Sequence, residues 1–433
     1  MKNSLVLKQL FFYKTINLSI FITLLICSMF TNSSLFLLLS SKEEMGSDSN
    51  MLLIFIILFG LILLISTIMI TIIIGINFES RKKEIINQRL LGISNKIIFW
   101  NLLKEQLIIM IPSFVLGFVF AIILNKVLVD QLIVQGVLSD TFKVSYKFVN
   151  VFLVFLIGIV SLVFVIYTST KKYNQLENNY KVSKKVTVKK TVLKSIFGSL
   201  FILSFLALII FENSEVLYLF ASLFFLIGLM IVLELALKLF FSITFKITKR
   251  NFMISSSIKN MQFNAGLISK IIVILVNSMV FLYFSINVIQ QMSQVTYEGS
   301  ENENYMKGLQ FLSQYLNLVF LIFSFVVIVN GFMMYLKITN KENKVLRKLG
   351  FTNEKILMRN TIQFIFIWSI FLFLSFTTTL FISLIWNDTK TLENLWMWFV
   401  EVFCVLAIML TIIIFDYILK IVKDNKKMKN ELK

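Results

Sequence analysis

The sequence predicts an all-α, polytopic membrane protein of about ten transmembrane helices. Three observations predict it. Of 433 residues, 58% are apolar and only 15% are charged, against about 45–50% and about 25% in soluble domains. Runs of about 20 mostly apolar residues, enough to cross a bilayer, recur along the whole chain. The basic residues fall between those runs in a strongly one-sided way. A soluble enzyme is excluded by composition alone.

The predicted spans are 16–40, 51–77, 104–127, 149–169, 194–211, 217–240, 268–289, 312–336, 360–386 and 396–419. The first is too long for the apolar segment of a cleavable signal peptide and lacks a small-residue cleavage site. The fifth and sixth are separated only by Glu212-Asn213-Ser214-Glu215. Together they are far too long for one crossing, so they are two spans. With both termini placed in the cytoplasm, 36 of the 42 Lys and Arg fall in cytoplasmic segments. Lys42, Lys126, Lys143, Lys147, Lys307 and Lys390 fall outside. That asymmetry follows the positive-inside rule and accounts for the net charge of +19 without nucleic acid.

The external loops are short. The largest, 128–148 and 290–311, leave room for a cap but not for a folded domain. The basic internal stretch 170–193 reads as a topology anchor against anionic lipid heads. There is no His, and Cys27 and Cys404 both lie in apolar runs. No metal-ligand spacing, His-based triad or disulfide framework follows.

An internal repeat emerges at a shift of 258 residues. RKKEIINQRLLGISNKI, from Arg81, aligns with TNKENKVLRKLGFTNEKI, from Thr339. Glu84, Arg89, Leu91, Gly92 and Asn95 match Glu342, Arg347, Leu349, Gly350 and Asn353, and Ser94 matches Thr352. Each copy lies between the second and third span of a four-span group. Each group is preceded by an amphipathic arm, LVLKQLFFYK in the first and ISSSIKNMQF at 254–263 in the second. The plan is four spans, two, then four. It divides the chain into a first module at 1–169, a basic loop and two-helix linker at 170–250, and a second module with a basic tail at 251–433. Gly92 and Gly350 suit the left-handed residue that ends a helix. Ser94 and Thr352 suit the N-cap of the next one. Each copy thus predicts a helix, a tight glycine turn and a helix returning to the membrane.

These residues resemble the FtsX-like (MacB-type) ABC transporter permease family, whose cytoplasmic motif is close to R-x-x-E-[IV]-x-x-x-R-x-[LI]-G-[AF]-[ST]. Arg81, Glu84, Arg89, Gly92 and Ser94 carry the first copy. Glu342, Arg347, Gly350 and Thr352 carry a weaker second one. The ten-helix, two-module plan is similar to the BceB-type permeases of Gram-positive bacteria. The departure is at 290–311, where that branch holds a large extracellular domain. The resemblance implies a permease subunit in a bacterial cytoplasmic membrane, with the two motif copies coupling to a separate ABC ATPase, in two copies per chain. ATP and magnesium would be used by that partner, and no cofactor is expected on this chain. The sequence agrees, because G-x-x-x-x-G-K-[ST] does not occur.

The expected cargo is a hydrophobic or amphipathic peptide such as a bacteriocin, antimicrobial or signal peptide. The alternatives are a sensory, force-transmitting subunit that moves nothing, and a lipid or drug exporter. A secondary carrier is disfavoured, since ionisable residues near mid-membrane mark such pathways and none is central here. Asn277, Asn330 and Glu401 are the candidate residues of a substrate path. Glu234 and Lys238 read as a locally neutral i, i+4 pair.

Overall fold

The computed structural model describes residues 14–45, 50–134, 138–147, 152–160, 162–164, 166–167, 184–211, 215–294, 300–386, 399, 402–414 and 418. Glu401, all but Lys14 of the first arm, the basic stretch 170–183 and the basic tail beyond 418 lie outside them.

Among the described residues there is no strand. The helices are α1 (Lys14–Met45), α2 (Asn50–Leu90), α3 (Asn95–Val134), α4 (Phe152–Phe164), α5 (Lys184–Phe211), α6 (Glu215–Ile247), α7 (Phe252–Phe263), α8 (Ala265–Gln294), α9 (Ser300–Lys348), α10 (Asn353–Trp386) and α11 (Val402–Ile414). Seven of them, α1, α2, α3, α5, α6, α9 and α10, are long and apolar enough to cross a bilayer. The bent pair α7–α8 makes an eighth. The fourth and tenth predicted spans appear as α4 and α11, shorter apolar helices of 10–17 residues.

The chain packs as two compact units. The first holds residues 1–186 and 284–323, the second 187–283 and 324–433. In the first unit α1 carries a buried polar seam. Ser28 Oγ donates to the Phe114 carbonyl at 3.3 Å, and Asn32 Nδ2 donates to Ser28 Oγ at 3.0 Å. Ser33 Oγ donates to Asn125, and the Tyr315 hydroxyl donates to Ser33 Oγ at 3.3 Å. A glycine makes the close α1–α3 approach possible. A Cβ on Gly117 would stand 2.7 Å from Ser28 Cβ and 2.8 Å from the Leu25 carbonyl oxygen. Small residues at such crossings let backbones meet where hydrophobic drive is absent.

The segment 138–147 caps this unit at one end. Leu138 and Phe142 are buried, the Ser145 amide donates to Ser40 Oγ at 2.8 Å, and Lys147 pairs with Glu43. Phe36 meets Tyr146 edge-on at 5.1 Å.

In the second unit α5 and α6 meet through facing glycines. A Cβ on Gly228 would lie 3.1 Å from the Gly198 carbonyl oxygen, and one on Gly198 would lie 2.5 Å from Val232. Glu234 and Lys238 form their pair at 2.6 Å.

The second arm is α7. Asn251 caps it, its side chain accepting from the amides of Met253 and Ile254. One face buries Ser257, Ile258, Asn260 and Met261, while Phe252 and Phe263 at its two ends stay exposed. The chain then turns by 80° into α8. Asn264 alone makes the elbow: its amide donates to the Asn260 carbonyl, and its own carbonyl accepts from Leu267 and Ile268.

Candidate coupling hairpins

The repeat folds as two helical hairpins, α2–α3 in the first unit and, in the second, α10 with the part of α9 from Ser324 onward. The short helix expected before each glycine is instead the end of a spanning helix. α2 runs 41 residues to Leu90 and α9 runs 49 residues to Lys348. Neither EIINQRL nor ENKVLRK contains a glycine or proline to stop the helix.

Both turns are Schellman motifs. Gly92 has φ +81° and Gly350 has φ +86°. The Gly92 amide donates to the Arg89 carbonyl at 2.8 Å, and Ile93 to Gln88 at 3.1 Å. The Gly350 amide donates to Arg347 at 3.0 Å, and Phe351 to Leu346 at 3.1 Å. The predicted caps also form. Ser94 Oγ accepts from the Ile97 amide at 3.4 Å, and Thr352 Oγ1 from the Lys355 amide at 3.5 Å.

The motif residues divide into buried and exposed. Arg81 is 3% exposed. Its Nη1 reaches both oxygens of Glu105 on α3 at 2.8 Å, and its Nε lies 3.4 Å from Glu84. Asn17 on α1 adds a hydrogen bond to Glu105. Glu84 also accepts from Gln88, one turn on, at 3.4 Å. Arg89 is buried, while its repeat partner Arg347 is exposed. Beside the exposed Asn87, Ser94 and Lys96, the first tip offers two leucines to solvent: Leu90 is 74% exposed and Leu91 80%. Ile97 and Trp100 on the first turns of α3 continue the surface. The second tip exposes Val345, Leu349 and Met358. Exposed apolar patches of this kind mark interaction surfaces.

In the second hairpin Glu342 pairs with Arg359 at 3.0 Å, and Arg359 also donates to Asn343 Oδ1 at 3.4 Å. The arm α7 is fastened here. The Phe252 ring stacks on Phe351 with centroids 5.7 Å apart, and Ser257 Oγ donates to the Arg359 carbonyl at 3.3 Å. Sequence reasoning did not single out Glu105 as the partner of Arg81, or Arg359 at all. The i to i+24 relation between Arg81 and Glu105 crosses a turn and becomes visible only once the hairpin closes.

Of the substrate-path candidates, Asn277 is fully buried in α8, and neither polar atom of its amide has a hydrogen-bond partner among the described residues. Asn330 is half-buried in α9. Glu401 lies outside the described residues. No cluster of three His, Cys, Asp or Glu side chains fit to hold a metal occurs among the described residues.

Residues 56–177 match the family model described as FtsX-like permease C-terminal. The match contains most of α2, the whole first hairpin and α4. No curated protein matches the chain.

Proposed function

We propose, from the match of residues 56–177 to the FtsX-like permease model, that this chain is a permease of that kind, working as the membrane component of an ABC-type transport system. Two copies of a separate ATPase subunit dock on the tips at Gly92 and Gly350, in the cytoplasm of a bacterial cell. Their ATP-driven closure pushes both tips. The helices on either side of each glycine continue without a break into the spans, so displacement at the tip is carried into the bilayer. The cargo expelled is a hydrophobic or amphipathic peptide. The unpartnered amide of Asn277 in α8 offers hydrogen bonds to a peptide group, in a setting where such bonds have few competitors.

The observation that carries this reading is the matching pair of glycine turns. The same cap, the same left-handed residue and the same exposed leucine recur at Leu91 and Leu349, 258 residues apart. An incidental helix connection gives no reason for all three to recur together.

The test is reconstitution in lipid nanodiscs. The chain alone should turn over no ATP. Addition of the ATPase encoded beside it should give a stable complex with magnesium-dependent turnover. Intrinsic turnover by the chain, or failure to hold the ATPase, overturns the reading. Peptide cargo is tested separately, by efflux of a labelled amphipathic peptide from proteoliposomes.

A further inference from the structure

We infer that the ion pairs Arg81–Glu105 and Arg359–Glu342 are positioning clamps of opposite polarity, each holding the two helices of its hairpin at a fixed angle so that a push at the tip reaches the spans. This rests on the ABC-permease reading above and assigns roles within it.

The two pairs are not the same pair twice. At the 258-residue shift, Arg81 corresponds to Thr339 and Glu105 to Gln363, so the second hairpin lacks the first one's pair. Conversely, Arg359 corresponds to Asn101, so the first hairpin lacks the second one's cation. The carboxylate Glu84/Glu342 is common to both. In the first hairpin the cation comes from the helix before the turn and the anion from the helix after it. In the second the order is reversed. At the old site in the second hairpin, Gln363 instead accepts the Tyr335 hydroxyl at 2.8 Å. A cross-hairpin tie is therefore present in both hairpins, made from different residues. That recurrence is expected if the tie, and not the identity of any one side chain, is what the hairpin requires.

Burial separates these residues from the docking surface. The Arg81 and Glu105 side chains are 2% and 0% exposed, and that of Arg359 is 5% exposed. A partner on the tip touches the leucines and cannot reach these groups. Their placement along the hairpin fits a strut. Arg81 and Glu105 lie 11 and 13 residues from Gly92, or about 17–20 Å along the helices at 1.5 Å per residue. Glu342 and Arg359 lie 8 and 9 residues from Gly350, about 12–14 Å. Two antiparallel helices joined only by a glycine turn would scissor under load. A tie well below the turn prevents that. Glu342, at 36% side-chain exposure, leaves the second clamp open to solvent, whereas the first is sealed.

The experiment uses the full chain with its ATPase in nanodiscs and reads two quantities: ATPase retained per permease, and permease-stimulated ATP turnover. The variants are Arg81→Glu, Glu105→Arg and both together, then Glu342→Arg, Arg359→Glu and both together. Each single reversal should cut stimulated turnover about tenfold or more with retention near wild type, and each double exchange should restore it to within about threefold. Glu342→Gln, at the more exposed position, guards against variants that fail to fold. It should lower turnover about threefold at full retention. Single reversals that leave turnover intact overturn the inference. Retention lost together with turnover, and not restored by the exchange, marks these side chains as structural or docking groups and also overturns it. If the wild-type chain holds no ATPase, the permease reading fails first, which the wild-type arm shows independently.

Discussion

Gly92 and Gly350 share one backbone conformation, φ +81° and +86°, and at each a Cβ would meet no atom within 4 Å. Substitution there is opposed by backbone conformation alone and not by crowding. The sensitivity should therefore follow tolerance of positive φ rather than side-chain volume. Gly92→Asn should be mild, Gly92→Ala should cost about 1 kcal/mol and Gly92→Val about 1–3 kcal/mol. Stimulated ATP turnover should fall in the order Asn, Ala, Val at constant expression. A ranking by volume, with Ala milder than Asn, counts against the Schellman geometry as the operative feature.

Leu90 and Leu91 are the most exposed apolar groups of the first tip. Burying a leucine on a partner is worth about 1.5–3 kcal/mol, equivalent to a tenfold to hundredfold change in association. Leu91→Asp should weaken ATPase retention by at least about tenfold while leaving the chain folded, since Leu91 is 80% exposed. Leu349→Asp should act in the same direction at the second tip. Co-purification at graded salt measures both.

The basic-residue asymmetry sets an orientation that labelling can read. In a background with Cys404→Ser and the buried Cys27 kept, a cysteine replacing exposed Asp140 should react with a membrane-impermeant maleimide on intact cells. Cysteines replacing Leu91 or Leu349 should react only after lysis. The reverse pattern inverts the topology and removes both tips from the cytoplasm.

The α1–α3 contact makes a stability prediction. At Gly117 a methyl group would lie 2.8 Å from the Leu25 carbonyl, a backbone atom that yields only if the helix shifts. Gly117→Ala should destabilise by about 1–3 kcal/mol. Gly60→Ala, in open space within α2, should leave the melting temperature unchanged or raised. Thermal unfolding of the purified chain in detergent, with the two variants side by side, reads the difference.

Much of this was legible in the sequence, because the decisive features are local. Apolar runs of span length marked the crossings. A glycine followed two residues later by Ser94 or Thr352 marked each turn, since only one residue separates the left-handed position from the next N-cap. What was not legible depends on helical phase and on register across the turn. Arg89 reads as a docking residue because it is basic and near the tip. Yet the last turn of α2 points it inward and leaves Leu90 and Leu91 in solvent. Glu105 lies 24 residues from Arg81, and nothing nearby in sequence declares the two as partners. The 80° elbow at Asn264 was hidden for a similar reason. An asparagine can end a helix, start one or do neither, and here it does the first two at once.

The opposite polarity of the two ion pairs also bears on how such a duplicated chain can change. If α3 replaced α10, an asparagine would stand opposite Glu342 and a carboxylate opposite Thr339, leaving two acidic groups with no cation across the hairpin. If α10 replaced α3, Arg81 would lose Glu105 and keep Glu84, which a second arginine would then share. Either exchange leaves charge without its counter-ion at positions where the existing pairs are largely buried. Exchange of sequence between the halves is therefore penalised at the three positions that differ, Arg81/Thr339, Asn101/Arg359 and Glu105/Gln363, although the shared glutamate and the glycine turns remain interchangeable. Each helix is thus fitted to its own opposite number: a hairpin can be exchanged whole between the halves, but not one helix at a time.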